Sequence, residues 1–129
     1  MAEDSVARLL LESAGRDAST VDTLAGLLHI HDSIVGFHAQ QAVEKYLKAV
    51  LSAQDITFRR THDLVELLDV LADHKLPPPP HADSLDELNP YAVEARYGLT
   101  EPSGPSRDAL PALVKDVRIW AESQIRLAP

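Results

Sequence analysis

The chain has no cysteine, and this absence removes two kinds of chemistry. Without a thiol there are no disulfide bonds and no thiolate to act as a nucleophile or a metal ligand, and a reducing cytoplasm is the compartment that this composition favours. Long apolar runs are also missing, since no stretch approaches the roughly 18 residues that span a bilayer. The acidic start, Met1 to Asp4, is unlike a signal peptide. We therefore expect a cytoplasmic protein that does not enter a membrane.

Basic residues are also scarce relative to acidic ones. The 129 residues contain 12 Lys and Arg against 20 Asp and Glu, which gives a formal net charge of −8. Because such a charge repels polyphosphate, binding to nucleic acid through charge alone is disfavoured, although local basic spots remain compatible with it. Arg59 and Arg60 form the only adjacent basic pair, which is usually solvated surface. The length and composition are those of one ordinary globular domain, residues 1–129.

No segment has the alternating pattern of a strand, whereas apolar residues recur at three- and four-residue steps along most of the chain. The predicted helices cover residues 3–27, 33–53, a third segment that begins after Thr61, 83–97 and 107–127. These helices and their short links predict an all-α, up-and-down bundle of four to five helices.

Several helix boundaries follow from cap residues and prolines. Asp32 or Ser33 is the predicted N-cap of the second helix, and Thr61 that of the third. The prolines at 77–80 predict a stiff, non-helical spacer, because each ring fixes φ and removes an N–H donor. Pro90 should bend the fourth helix or start a new segment. Pro111 is tolerable only in the first turn of the last helix.

The most informative segment is 36–51, GFHAQQAVEKYLKAVL, which combines an apolar helix side with a polar stripe. The stripe consists of His38, Gln41, Glu44, Lys45 and Lys48. In one interpretation it forms a polar pocket, in which a lysine holds a phosphate, Gln41 forms hydrogen bonds and His38 is a titratable contact. In the other it is a solvated face with a Glu44–Lys48 ion pair at i, i+4. The spacing leaves both interpretations open.

Other candidate residues lie near predicted helix ends. His62 follows the predicted cap of the third helix, where an imidazole would meet an anionic ligand or simply make a local cap contact. Arg96 and Tyr97 precede a loop rich in Gly and Pro. There the guanidinium would either clamp a phosphate or interact with the negative helix end. The histidines within 29–32 lack a distant partner ligand, so we predict no metal site.

Segment 36–51 resembles the second-helix signature of the HEPN domain family, named for higher eukaryotes and prokaryotes nucleotide-binding. Further segments resemble the family in the same order, namely 12–17, 61–64, 95–97 and 117–120. The resemblance implies a compact helical bundle that is commonly dimeric. Many bacterial and archaeal members of the family are encoded beside a minimal nucleotidyltransferase in toxin–antitoxin-like pairs, so the resemblance implies such a partner. Many members are metal-independent endoribonucleases, so it also implies this activity.

The nuclease motif of the family is Arg, four to six residues, then His, contributed by both subunits of a dimer. After Arg96 the corresponding positions hold Glu101, Pro102 and Ser103, and no other arginine has a histidine at this spacing. Without that imidazole the usual proton donor or acceptor is missing. The resemblance therefore favours a protein that uses no cofactor. We expect it to bind a nucleotide or RNA, or to pair with a nucleotidyltransferase.

The residues expected at the ligand are Gln41, Glu44, Lys45, Lys48, His62, Arg96 and Tyr97. The alternative is a divergent, metal-independent endoribonuclease that acts as a dimer. Its candidate catalytic residues would be Arg96 with His62 or His38.

Overall fold

Four α-helices form the frame of the protein in the computed structural model, which describes residues 2–93 and 104–129, with side chains from residue 6 onward. They are α1 (Ala2–Ala25), α2 (Asp32–Ala53), α3 (Leu64–Asp73) and α4 (Leu110–Leu127). A 3-10 helix, Leu85–Ala92, follows α3, and a 3-10 turn, Arg107–Ala109, leads into α4. The described residues contain no strand. The predicted all-α helical bundle is confirmed.

Helix α2 is the centre of the bundle, because it contacts α1, α3, α4 and the 3-10 helix. Its apolar side is buried as the spacing predicts, and Val43, Tyr46, Leu47 and Val50 are at most 1% exposed. Burial of these side chains removes apolar surface from water, which is the main stabilising contribution to such a fold. The polar side of α2 is thus held in place by a core on its opposite side.

A glycine permits a close approach between α2 and the 3-10 helix. Gly36 is buried, and a Cβ built on it would lie 2.2 Å from Cε1 of Tyr91. Any larger residue would collide with a ring that is itself only 5% exposed. Gly36 therefore fixes how the 3-10 helix sits on α2. By contrast, a Cβ added to Gly15 inside α1 would meet nothing within 4 Å, and this glycine does not end that helix.

The start of α2 differs from the prediction. His31, and neither Asp32 nor Ser33, is the N-cap, and its Nδ1 accepts a hydrogen bond from the backbone N–H of Ser33 at 3.0 Å. The prediction was wrong because an imidazole nitrogen with a lone pair can satisfy a free helical N–H as a carboxylate or hydroxyl oxygen does.

The start of α3 also lies later than predicted. Asp63 is the N-cap, and its Oδ1 accepts from the N–H of Val65 at 2.9 Å. Thr61, the predicted cap, accepts from the N–H of Asp63 at 3.0 Å and so shapes the turn before the helix. Asn89 of the 3-10 helix completes this helix start, because its Oδ1 accepts from the N–H of Leu64 at 3.0 Å.

The fourth predicted helix is a 3-10 helix where the structure describes it, and Pro90 lies within it. A proline ring lacks the N–H that an α-helix requires and clashes with the preceding turn, which favours the short, tighter helix. The predicted end at Tyr97 lies outside the described residues. Prolines 77–80 are non-helical and Pro111 occupies the first turn of α4, so both of these predictions are confirmed.

Arg107 joins the end of α1, the following loop and the start of α2 to the beginning of α4. Its guanidinium donates to the carbonyls of Leu24, Ala25, Leu27 and Ile30 and to the carboxylate of Asp32. The Arg107 side chain is only 11% exposed. Because the last carbonyls of a helix lack intrahelical donors and carry partial negative charge, one planar cation satisfies several of them at once.

The hydroxyl of Tyr46 is a buried polar group without a hydrogen-bond partner among the described residues. Burial raises the pKa of Tyr46 to about 12, and the negative charges of Glu122 and Asp17 act in the same direction, while Arg118 opposes them. An unpartnered hydroxyl in a core costs free energy, so this group destabilises the fold relative to an apolar ring of the same shape.

We expect Tyr46→Phe to leave stability at neutral pH unchanged or to raise it by about 1 kcal/mol. Between pH 10 and 12 the unfolded chain loses the phenol proton while the folded chain keeps it. The wild type should therefore lose stability as pH rises through this window, by up to about 1.4 kcal/mol per pH unit relative to the variant. Urea unfolding of both proteins from pH 8 to 12 measures this, and parallel pH profiles would contradict it.

Candidate ligand-binding face

The polar side of α2 carries a buried carboxylate that holds an exposed histidine. Glu44 is only 4% exposed, and its Oε1 lies 2.9 Å from Nδ1 of His62. Its Oε2 accepts from Nζ of Lys48 at 3.0 Å, which is the i, i+4 pair that the sequence indicates. The His62 side chain is 66% exposed. We call His62, Glu44 and Lys48 the Glu44 cluster.

Gln40 supports the Glu44 cluster from within the core. It is fully buried, and its Nε2 donates to Oε1 of Glu44 and to the carbonyl of His62, both at 3.1 Å. Its Oε1 accepts from Nε2 of Gln41 at 2.7 Å. A fully buried amide is stable only when its polar atoms are paired, and here one side chain fixes both the carboxylate and the backbone of the histidine that it holds.

A second cluster of the same composition lies between α1 and α2. Asp17 of α1 is 13% exposed, and its Oδ1 lies 2.9 Å from Nδ1 of His38. Its Oδ2 accepts from Nζ of Lys45 at 2.6 Å. We call His38, Asp17 and Lys45 the Asp17 cluster. The α2 polar face comprises the two clusters and Gln41.

Each carboxylate determines which imidazole nitrogen is available to a ligand. A carboxylate only accepts hydrogen bonds, so the Nδ1 atoms of His38 and His62 must carry hydrogen. In a neutral ring the other nitrogen, Nε2, then bears the lone pair, and in a protonated ring it is a second donor. Both histidines therefore offer Nε2 for hydrogen bonding or proton transfer.

The charges of the face are almost balanced. Each cluster contains one carboxylate and one lysine, so its net charge is zero while its imidazole is neutral and +1 when the imidazole is protonated. Neither lysine is a free cation, since Lys45 is 24% and Lys48 14% exposed and each is paired. The face thus suits recognition by directed hydrogen bonds better than by bulk positive charge.

A cleft adjoins the Glu44 cluster at His62. Its volume is about 350 Å³, and the described residues that line it include His62, Asp63, Asn89 and Pro90. Asn89 donates to Oδ1 of Asp63 at 3.0 Å, so the 3-10 helix and the α3 N-terminus are tied together along this cleft. This volume is at the lower end of that of small-molecule sites in proteins.

A family model for the HEPN domain matches residues 7–122, nearly the whole chain. The chain belongs to the HEPN domain family. This match confirms the resemblance that segment 36–51 indicates, and membership is consistent with a function related to nucleotides or RNA. No curated protein and no solved structure matches this HEPN chain.

The HEPN fold brings several of the predicted site residues together. Gln41, Glu44, Lys48 and His62 form one hydrogen-bonded network through Gln40, whereas Lys45 and His38 meet at Asp17. The interpretation of the stripe as a solvated face was wrong about the exposure of Glu44, which is buried, while the Glu44–Lys48 ion pair that it included is present. Arg96 and Tyr97 lie outside the described residues.

Three residues that hold the α2 polar face or the adjoining cleft were not identified as site residues from the sequence, namely Gln40, Asp17 and Asn89. Gln40 lies one turn before Glu44 at the edge of the stripe, and it was missed because spacing alone does not show that this position faces the core. Asp17 lies in α1, 21 residues before its partner His38, and Asn89 lies 25 residues after Leu64. Only the presence of Asp17 in the 12–17 segment, which resembles the family, pointed toward it.

Within residues 2–93 and 104–129 no group of histidine, aspartate and glutamate side chains is arranged to hold a metal ion. The same part of the chain contains no helix with the length and apolar character that a bilayer span requires.

Proposed function

We propose that this HEPN chain binds a nucleotide or a short RNA segment on the α2 polar face. The observation that carries the proposal is the pair of imidazoles that two largely buried carboxylates hold through Nδ1, which leaves both Nε2 atoms available. Holding a side chain in place before binding reduces the entropy that binding would otherwise cost. If the Glu44 and Asp17 clusters served only as structural ion pairs, neither would require a histidine with a free ring nitrogen.

The chemistry of the face fits a phosphate next to a base or ribose. Protonated imidazoles and paired lysines donate charge-assisted hydrogen bonds to phosphate oxygens, and Gln41 adds an amide at the centre of the face. The cleft of about 350 Å³ beside His62 would accept a ring that is attached to such a phosphate. Since the face is nearly neutral, binding should depend less on salt than that of a basic RNA-binding surface.

The test is a titration of the purified protein with ATP, GTP and a short single-stranded RNA. We expect saturable binding of at least one ligand and about tenfold weaker binding by His62→Ala, which removes a directed donor. His62 is 66% exposed, and Glu44 keeps Gln40 and Lys48 in the variant, so the fold should be preserved.

The matched control is His29→Ala, which removes an exposed imidazole from the loop between α1 and α2. Its affinity should equal that of the wild type. Flat titrations with all three ligands would refute the nucleotide and RNA proposal. Equal binding by His62→Ala and His29→Ala would instead refute the placement of the site on this face.

The second candidate function is a divergent, metal-independent endoribonuclease. It is favoured by the contact between His62 and Glu44, since a carboxylate that orients an imidazole prepares its Nε2 for general acid–base catalysis. RNA cleavage in the presence of EDTA that disappears in both His62→Ala and Arg96→Ala would support it. Intact RNA after prolonged incubation with the wild type would exclude it under those conditions.

We also infer a homodimer in the cytoplasm, and a minimal nucleotidyltransferase as protein partner in a toxin–antitoxin-like pair. The family resemblance supports the dimer and the partner, and the cysteine-free composition supports the compartment. Light scattering should give twice the mass of 14.1 kDa at micromolar concentration. A monomer would contradict the dimer, and a genome without a neighbouring nucleotidyltransferase gene would contradict the pairing.

A further inference from the structure

A groove of about 370 Å³ runs between α3 and the proline-containing segment that follows it. Its apolar lining includes Val65, Leu68, Leu76 and Pro78. Val65 is 41% exposed although it is β-branched and apolar. An apolar lining that remains open to solvent is typical of surfaces that bind a partner.

The same groove is bordered by three exposed carboxylates. Asp69, Asp83 and Asp86 line it, and none of them makes an ion pair or a side-chain hydrogen bond with a described residue. No lysine or arginine is among its described lining residues. We call this surface the acidic groove. It shares no residue with the α2 polar face.

The acidic groove lies in a part of the chain with a large excess of carboxylates, of which only Asp69, Asp83 and Asp86 line it and Glu66 is paired with Arg59. Residues 62–93 contain seven carboxylates and one lysine, which is a net charge of −6 out of −8 for the whole chain. The carboxylates are Asp63, Glu66, Asp69, Asp73, Asp83, Asp86 and Glu87, and the lysine is Lys75. The three carboxylates that line the groove repel nucleic acid and attract a cationic partner.

The groove is held open by fixed backbone. The N–H of Leu76 donates to the carbonyl of Leu71 at 3.0 Å, with Lys75 in the left-handed conformation, and this closes the end of α3. The prolines at 77–80 restrict the segment that follows. His81 then anchors this segment to α4, since its Nε2 lies 2.9 Å from Oδ2 of Asp116.

We propose that the acidic groove docks a basic amphipathic segment of another protein. The apolar residues of that segment pack on Val65, Leu68 and Leu76, and its lysines or arginines pair with Asp69, Asp83 and Asp86. The charge complementarity selects this occupant over RNA, which the carboxylates repel, and over the acidic surface of a second copy of the chain. The proposal does not depend on ligand binding by the α2 polar face.

The test uses a fluorescent peptide of about 18 residues, built from leucine and lysine at helical spacing, with anisotropy measured in about 150 mM salt. We expect saturable binding. The triple variant Asp69→Asn, Asp83→Asn, Asp86→Asn should bind about tenfold more weakly, because three partly exposed ion pairs are lost. Val65→Ser should also weaken binding, through the apolar contact alone.

The matched control is a second triple variant with the same net charge, Glu12→Gln, Asp22→Asn, Asp108→Asn, whose exposed carboxylates lie outside the groove. It should bind as the wild type does, to within about threefold. A peptide of the same composition with scrambled order should bind at least tenfold more weakly. Equal weakening by the two triple variants, equal binding of the two peptides, or no saturation would each overturn the proposal. Thermal melting of both triple variants verifies that they remain folded.

Discussion

Gly36→Ala is expected to destabilise the fold by about 2–3 kcal/mol, with a correspondingly lower melting temperature. The added methyl group would lie 2.2 Å from Cε1 of Tyr91, far inside van der Waals contact, and the Tyr91 ring is too deeply buried to move away freely. Displacement of Tyr91 would also shift the 3-10 helix that carries Asn89. Because Asn89 completes the start of α3, the position of His62 should change as well.

Gly15→Ala is the matched control, since it makes the same chemical change inside α1. The new methyl group would meet nothing within 4 Å, so the higher helix propensity of alanine should raise stability by about 0.5–1 kcal/mol. Chemical denaturation of the two variants should therefore give changes of opposite sign. A Gly36→Ala protein as stable as the wild type would contradict the close packing of the 3-10 helix on α2.

Arg107→Ala is the second substitution with a large expected effect, and it should lower the free energy of unfolding by about 3 kcal/mol. The substitution removes the shared donor of four backbone carbonyls at the end of α1 and in the following loop, of which those of Leu24 and Leu27 each keep one backbone N–H donor. Arg107→Lys should recover less than half of the loss, because one ammonium cannot reproduce the planar set of five N–H donors. Denaturant unfolding of the wild type, Arg107→Ala and Arg107→Lys measures these differences in stability.

Arg118→Ala is the control for Arg107. Arg118 is 51% exposed and makes a single ion pair with Glu122 at 3.5 Å, so its removal should change stability by no more than about 0.5 kcal/mol. Similar losses for the two alanine variants would show that Arg107 does not act as a shared donor at the end of α1.

The periodicity of apolar residues was sufficient to predict the helical bundle and the two sides of α2. Spacing along one helix also predicted the Glu44–Lys48 pair, because residues four apart are neighbours on any α-helix. Spacing along one helix could not predict that Glu44 is buried. Its burial depends on His62 and the α3 N-terminus, which come close to Glu44 only in the folded chain.

Contacts distant in sequence account for most of what was not predicted. Asp17 meets His38 and Lys45 from another helix, and Arg107 contacts carbonyls about 80 residues earlier. Backbone carbonyls have no side-chain identity, so no sequence pattern marks them as partners of a distant arginine. The 3-10 helix around Pro90 was also not predicted. The apolar residues there have helical spacing, but an α-helix does not accept the ring of Pro90 in its interior.

The two surfaces divide the molecule by charge. The α2 polar face is nearly neutral, while residues 62–93 have a net charge of −6 out of −8 for the whole chain. His62 stands at the boundary, where the Glu44 cluster meets the start of α3. If both proposals hold, a ligand with phosphate groups would bind the α2 polar face and a basic protein segment the acidic groove, without competition.

The central claim is that the α2 polar face is the ligand site, and the histidine rings test it most directly. Nuclear magnetic resonance of the side chains follows all six histidines of the chain during titration with a short RNA and with ATP. We predict saturable shifts for His38 and His62 with at least one ligand, while the rings outside the face, His29, His31, His74 and His81, stay unchanged. Shifts confined to those four rings, or no shift in any ring, would contradict the account.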